Sequence, residues 1–158
     1  MEQLVHVICP CAGAAEMQKQ EVLTLVKQAR IANRKHDISG MLLYIGGIVL
    51  QSFEGEKRMV SVVCSTLFRD KARMRRTPIL REPITEREFP EWTMGFSTVD
   101  PREAGELLGD SDLFSCAGSV TRLDANGAKT LLSIFGRRRY QSDRSGMYRA
   151  ISGAPARL

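Results

Sequence analysis

The feature that most constrains the fold of this 158-residue sequence is a pair of apolar segments separated by two adjacent glycines. Residues 38–44 and 48–53 are dominated by aliphatic side chains, and Gly46 and Gly47 lie between them. Glycine accepts the positive φ angles that tight hairpin turns require. The pattern therefore predicts two antiparallel strands joined by a short turn.

The segments on either side of this hairpin alternate between strand and helix patterns. Short apolar runs predict strands, and apolar residues at three- and four-residue spacing predict amphipathic helices. Strands are predicted at residues 4–9, 74–80 and 92–96, and helices at residues 16–33 and 59–70. The last two strands are separated by segments that contain Pro83 and Pro90. The order βαββαββ predicts an α+β fold, a ferredoxin-like sheet with an added strand and two helices on one face.

The length of the chain favours one core with an extension. A chain of 158 residues is near the commonest size of a single domain. We expect a sheet domain at residues 1–100, a helical extension at residues 101–137 and a basic, mobile tail at residues 138–158. Within the extension, residues 101–109 and 126–135 are predicted to form two short helices.

The composition is that of a globular protein outside the membrane. Hydrophobic residues make up 43% of the chain, and no apolar run approaches the ~18 to 20 residues that a membrane helix needs. The N-terminus lacks the basic region and the cleavage site of a signal peptide. We therefore expect a cytoplasmic protein that does not act on membranes.

Neither the cysteines nor the histidines form a pattern that indicates catalysis or metal binding. The spacing of Cys9, Cys11, Cys64 and Cys116 is not that of a disulfide scaffold or a paired zinc knuckle, which predicts reduced thiols and no metal site. No Ser/His/Asp or Cys/His set and no Gly-rich phosphate loop is present in the sequence. An enzyme is therefore not expected.

The net charge of +5 comes largely from two groups of arginines. Solvated surface arginines are the favoured interpretation, and a nucleic-acid-binding regulator, with salt-sensitive binding, is the alternative. The two groups are Arg73, Arg75, Arg76 and Arg81, and Arg137, Arg138, Arg139, Arg144, Arg149 and Arg157.

Three stretches occur in a fixed order along the chain: Asn33 followed by Ile38-Ser39-Gly40, then Gln51-Ser52-Phe53-Glu54-Gly55, then Arg87-Glu88-Phe89-Pro90-Glu91-Trp92-Thr93-Met94. In these stretches the sequence resembles the BLUF family, which senses blue light with a flavin. The resemblance covers about residues 3–98 without a gap. It implies FAD as the cofactor, signal transduction to a protein partner, and self-association into a homo-oligomer.

The resemblance implies that Gln51 reaches the N5 and O4 edge of the flavin and that Asn33 holds its pyrimidine side. Each amide presents a donor and an acceptor, as this polar edge requires. From residue type alone, Asn33 also fits a helix C-cap and Gln51 a surface strand position. The expected cofactor-binding residues are Asn33, Gln51, Leu25, Ala29, Val49, Leu67, Asp70 and Arg73, and the expected signalling residues are Gln51, Trp92 and Met94.

Cys9 stands at the position where the family has a tyrosine that donates an electron and a proton to the excited flavin. A thiol is shorter than a phenol and a weaker donor, so it cannot hold Gln51 in the same way. Ala32 and Thr66 replace an asparagine and an arginine of the family, and Ala72 and Arg73 replace an arginine and a histidine that follow Asp70 in the family. These losses predict weakened flavin binding and altered photochemistry. The alternative is a flavin-free interaction module whose former pocket is filled by side chains.

Overall fold

The computed structural model describes residues 2–11, 18–67, 78–115 and 122–138. Its strands are β1 (Leu4–Cys11), β2 (Ser39–Ile45), β3 (Ile48–Glu56), β4 (Leu80–Ile84) and β5 (Gly95–Val99). Its helices are α1 (Lys19–Lys35), α2 (Lys57–Leu67), α3 (Pro101–Leu107) and α4 (Ala125–Leu131), and a π-helical segment, Leu132–Gly136, continues α4. Among these described residues, no helix is long and apolar enough to cross a membrane.

The described strands form one sheet in the order β4-β1-β3-β2-β5. β1 is antiparallel to both β3 and β4, β2 is antiparallel to β3, and β5 adds to β2 in the parallel direction. Gly46 and Gly47 have positive φ angles of 56° and 93°, which explains why the hairpin between β2 and β3 turns there. This arrangement confirms the predicted ferredoxin-like α+β fold with an added strand.

Both faces of the sheet are covered. One apolar cluster joins α1 and α2 to the sheet through residues such as Val22, Val26 and Val60. A second cluster joins the opposite face to the C-terminal helices through residues such as Leu131 and Phe135. β3 lies in the middle of the sheet, and its residues are buried from Ile48 to Gly55 on both faces, as expected for a strand between two layers.

The predicted bounds of the last two strands are wrong. β4 runs over Leu80–Ile84 and contains Pro83, which the sequence pattern placed in a linker. Proline is tolerated there because β4 is an edge strand, where a missing N–H group costs no ladder hydrogen bond. β5 is Gly95–Val99 and not residues 92–96, because side chains of α1 bond to carbonyl groups just before it.

The other predicted elements differ from the structure by a few residues at their ends. α1 begins after Gln18, whose backbone N–H donates to Glu21 at the start of the helix. Residues 68–70 of the second predicted helix, residues 74–77 of a predicted strand and most of the predicted tail lie outside the described residues. The division of the chain into residues 1–100, 101–137 and 138–158 stays a prediction.

Asp124 stabilises the start of α4 by accepting a hydrogen bond of 2.7 Å from the backbone N–H of Gly127. We expect Asp124→Ala to lower the free energy of unfolding by about 1 kcal/mol, because one N–H group at the helix start loses its partner. Chemical denaturation followed by circular dichroism measures this change. The control is Glu86→Ala, which removes an exposed acid from a bend, and an equal loss in both variants would contradict the capping role.

Candidate functional site

A row of four side-chain positions crosses the sheet on the face covered by α1 and α2. Cys9 on β1 lies opposite Gln51 on β3, Gln51 lies opposite Leu42 on β2, and Leu42 lies beside Phe96 on β5. Directly opposed residues on neighbouring strands share a face and have Cβ atoms about 5 Å apart. Gln51 is therefore a polar side chain in the middle of an apolar surface.

The amide group of Gln51 is buried without partners. Its side chain has no solvent exposure, and neither Nε2 nor Oε1 has a hydrogen-bond partner in the described part of the chain. A buried amide without a hydrogen bond costs on the order of 1–3 kcal/mol, so proteins rarely keep one unless something else bonds to it. The burial also excludes the surface strand position that the residue type left open.

Asn33 lies on the same side of the sheet, and only one of its two polar side-chain atoms has a hydrogen-bond partner among the described residues. Its Nδ2 donates to the carbonyl oxygen of Thr93 at 2.6 Å, while its buried Oδ1 has no partner among the described residues. Asn33 is inside α1, and the C-cap of that helix is His36, which excludes the capping role for Asn33. One acceptor therefore remains for a group that has a donor.

Arg30 reinforces the contact between α1 and the segment before β5. Its Nε donates to the carbonyl oxygen of Met94 at 3.0 Å. Arg30 and Asn33 are three residues apart and share a face of the helix, so both reach the same short segment. Together they hold Thr93 and Met94 against α1.

Trp92 and Met94 lie on opposite faces of the sheet. Met94 belongs to the apolar cluster beneath α1 and α2, together with Cys9. Trp92 packs in the cluster of the C-terminal helices, and its carbonyl oxygen accepts a hydrogen bond from the N–H of Gly40 on β2. The two residues that the sequence grouped together thus contact different layers.

The apolar residues predicted for the site are only partly described. Ala29 and Val49 are buried in the cluster beneath α1 and α2, and Leu25 packs against it while partly exposed. The side chain of Leu67 lies outside what the structure describes, as do Asp70 and Arg73. Their roles stay predictions.

The thiol of Cys9 forms a hydrogen bond with a second cysteine and not with Gln51. Its thiol donates a hydrogen bond to Cys64 on α2; both cysteines are buried, and neither is in a disulfide bond. This hydrogen bond lowers the pKa of Cys64. The Gln51 amide has no hydrogen-bond partner among the described residues, so the thiol does not orient it although the two residues are directly opposed.

Glu54 is a buried carboxylate at the end of the same strand as Gln51. Its two oxygens accept hydrogen bonds from the backbone N–H groups of Glu88 at 2.6 Å and Phe89 at 3.0 Å. Burial raises the pKa of Glu54 to about 7 despite these hydrogen bonds. Glu88 in turn contacts Ser133 and Arg137, each at 3.5 Å. Glu54 therefore connects the strand of Gln51 to the C-terminal helix.

A second polar connection runs from β3 to α4. Ser52 is hydrogen bonded to Nε2 of His6 at 2.7 Å, Nδ1 of His6 lies 3.8 Å from Glu82, and Lys129 on α4 pairs with Glu82 at 2.7 Å. Burial lowers the pKa of His6, which favours its neutral form. Both polar connections start on β3, the strand of Gln51, and end on the C-terminal helices.

A family model for sensors of blue light using FAD, the BLUF domain, matches residues 4–95. The chain belongs to the BLUF family. BLUF domains are flavin-binding sensory modules that signal to effectors.

Two Euglena gracilis proteins are similar in sequence to this BLUF chain. They are photoactivated adenylate cyclase subunit beta-like protein FB and photoactivated adenylate cyclase subunit beta, each 28% identical over 117 residues. The match covers 73% of this chain but only 14% of the length of either relative. It therefore concerns one part of those larger proteins.

Solved structures share the BLUF fold. The dark-state structure of BlrB, a BLUF protein, has a TM-score of 0.65 at 23% identity and covers 90% of this chain and 98% of its own. The photo-activated state of BlsA has a TM-score of 0.64 at 17% identity, covering 84% of this chain and 94% of its own. A bacterial light-regulated adenylyl cyclase has a TM-score of 0.55 at 24% identity, covering 75% of this chain and 34% of its own.

The residues present fit the polar edge of a flavin in part. The unpartnered atoms of Gln51 and Asn33 supply one donor and two acceptors on the face where α1 and α2 meet the sheet. The carbonyl and N–H edge of a flavin ring needs such groups. The donor of Asn33 is already engaged by Thr93.

Sequence reasoning did not identify three residues that contribute contacts to this candidate site. Arg30 is one helical turn before Asn33 and could have been found from that spacing. Glu54 lies in the stretch that carried the resemblance but received no role. Cys64 follows the buried Val60 by four residues, a spacing that places its thiol on the core face of α2.

Proposed function

We propose that this chain is a flavin-binding BLUF sensory module whose blue-light photochemistry is impaired and which signals to a protein partner. The buried, unpartnered amide of Gln51 carries this proposal. Gln51 lies within the residues that the BLUF family model matches, and the resemblance implies that it contacts the flavin ring.

Binding of the flavin would involve four residues of the described face. Gln51 and the Oδ1 atom of Asn33 offer hydrogen bonds, and Ala29 and Val49 offer apolar surface. Leu25 is at the partly exposed border of the same cluster. When bound, the flavin supplies the absorption of blue light.

The photochemical step of the family would be impaired because the Cys9 thiol is hydrogen bonded to Cys64. Its thiol proton is directed to Cys64, while the family tyrosine acts on the flavin and holds the glutamine. Gln51 therefore lacks the neighbour that would fix its orientation. This favours weakened FAD binding as well as an altered light response.

Signalling would proceed from β3 and the segment before β5 to the C-terminal helices. Asn33 and Arg30 tie α1 to Thr93 and Met94, and Glu54 ties β3 to the loop that contacts Arg137. We place the binding surface for the protein partner on this C-terminal layer. A cytoplasmic homo-oligomer is part of the proposal.

Restoring the tyrosine tests the proposal. We expect the purified chain to take up FAD weakly and to show little spectral change in blue light, whereas Cys9→Tyr binds about one flavin per chain and gains a reversible red shift. Cys9→Phe, which has the same ring without the hydroxyl, is the matched control. Equilibrium dialysis and absorbance spectra in darkness and light measure both properties. A full photocycle in the unmodified chain would refute the impairment.

The second candidate is a flavin-free interaction module. It is favoured by two hydrogen bonds that engage polar groups of the site with other protein groups: Asn33 with Thr93, and Cys9 with Cys64. If neither the unmodified chain nor Cys9→Tyr binds flavin, this second function replaces the first.

Nucleic-acid binding has less support from the described arginines. Arg137 pairs with Glu88 at 3.5 Å, and Arg138 pairs with Glu103 at 3.3 Å and stacks over Phe135. Ion pairs of this kind reduce the charge available to phosphate groups. The arginines from position 139 onward lie outside the described residues.

A further inference from the structure

Two buried thiols meet where β1 packs against α2. Cys9 and Cys64 are 1% and 2% exposed, neither is in a disulfide bond, and a hydrogen bond joins their thiol groups. They come from distant parts of the chain, and their neighbours in the same apolar cluster include Val7 and Val60. Contact between two thiols is the arrangement from which a disulfide forms without large movement of the backbone.

Cys64 has the surroundings that favour a nucleophilic thiolate. The hydrogen bond from Cys9 lowers the pKa of Cys64, burial opposes this effect, and the positive charge of Arg81 supports it. The thiolate is the reactive form of cysteine. Cys64 is followed by the exposed Ser65 and Thr66, whereas Cys9 lies on a strand with neighbours on both sides, so we take Cys64 as the attacking residue and Cys9 as the resolving residue.

A small oxidant has a route to this pair. Cys64 lies in the last turn of α2, which ends at Leu67, and helix ends open locally at little cost in free energy. Ser65 and Thr66, the residues that follow Cys64, are exposed. Hydrogen peroxide is close to water in size and needs only such a local opening.

We propose that Cys9 and Cys64 are a redox modification site, a dithiol that peroxide oxidises to an intramolecular disulfide. The Cys64 thiolate attacks one oxygen of the peroxide, which breaks the O–O bond, gives a sulfenic acid and releases hydroxide that is protonated to water. The Cys9 sulfur then attacks the Cys64 sulfur, an S–S bond forms, and a second water leaves with the Cys9 proton. Two thiols are oxidised and one peroxide is reduced to two waters.

The disulfide would join β1 to α2 directly beside Gln51. Cys9 loses the proton that it donates to Cys64 in the reduced protein, and β1 and α2 become covalently linked. The site thus reports peroxide through the face on which we place flavin. The oxidation itself does not depend on flavin and can be measured on the flavin-free chain.

The experiment uses the full chain with Cys11→Ser and Cys116→Ser, which leaves only Cys9 and Cys64. Folded protein is treated with hydrogen peroxide, alkylated, and analysed by intact mass and peptide mapping. We expect a loss of about 2 Da, a linked pair of peptides containing Cys9 and Cys64, and reversal by a dithiol reductant. In Cys64→Ser on the same background, we expect Cys9 to react with peroxide at least about tenfold more slowly than the pair does when both cysteines are present, because the attacking thiol is missing.

The same mapping on the unmodified chain guards against effects of the two serine substitutions. A Cys9–Cys64 link in the unmodified chain, with an unchanged circular dichroism spectrum, supports the proposal. Three results would overturn it: a link between Cys9 and Cys11, a link between two chains, or a link that forms only after unfolding in urea.

Discussion

Gln51→Met should stabilise the flavin-free chain by about 1–3 kcal/mol and weaken its affinity for FAD by about tenfold to a hundredfold. Methionine has a similar length and no hydrogen-bonding groups that must be satisfied, so the two unpartnered amide atoms are removed without opening a cavity. The same substitution removes a donor and an acceptor from the proposed flavin edge. Urea denaturation measures the first effect and equilibrium dialysis with FAD the second.

Gln51→Met is expected to raise stability and to lower FAD affinity, and general damage to the fold would not produce this combination. Gln3→Met, at an exposed position before β1, is the control and should change the free energy of unfolding by less than about 0.5 kcal/mol. If Gln51→Met destabilises the flavin-free chain, the amide of Gln51 has a partner in the folded protein. If FAD affinity stays unchanged, Gln51 does not contact the cofactor.

The order of the helices and strands could be predicted because it depends on local patterns. The glycines between β2 and β3 and the helical spacing in α1 each act within a few residues. β4 was misplaced because Pro83 is a local signal whose meaning depends on whether the strand is at the edge of the sheet. β5 was misplaced because its start is set by hydrogen bonds from Arg30 and Asn33, more than 50 residues away.

The sequence suggested which residues belong to the candidate site but not which of them contact one another. The stretch around Gln51 helped to identify the family, while the altered photochemistry expected from Cys9 stays a prediction. The contact between Cys9 and Cys64 depends on how α2 lies across β1, which no local pattern reports. The separation of Trp92 and Met94 onto two faces likewise depends on where β5 begins.

Replacing Glu54 with leucine should lower the free energy of unfolding by about 2–5 kcal/mol, because two buried backbone N–H groups lose their acceptor. The N–H groups of Glu88 and Phe89 both donate to Glu54, and the side chain is only 2% exposed. Glu54→Gln keeps one acceptor and turns an N–H₂ group toward a donor, so its loss should be smaller. Urea denaturation at pH 5 compares both variants with the unmodified chain.

The carboxyl group of Glu54 should also make stability depend on pH. Burial raises its pKa from an ordinary value of 4.5 to about 7, so the folded state binds its proton more tightly than the unfolded state. The resulting stabilisation is complete below pH 4.5 and is lost as the pH rises toward 7, by about 3 kcal/mol in total. Arg87, which lies nearby and pairs with Asp37, opposes the shift.

Comparison with Glu54→Gln isolates this effect from other titrating groups. The lowered pKa of His6 acts in the opposite direction, since a histidine that is neutral when buried loses stability as the pH falls. His6 is present in both proteins, and Glu54 is not among the charges that shift its pKa, so its contribution cancels in the difference. We expect the difference in the free energy of unfolding between the unmodified chain and Glu54→Gln to shrink steadily from pH 4.5 to pH 7. A constant difference would mean that Glu54 is already ionised at pH 5, and the contact between β3 and the loop before β5 would then be an ordinary charged hydrogen bond with no sensitivity near neutral pH.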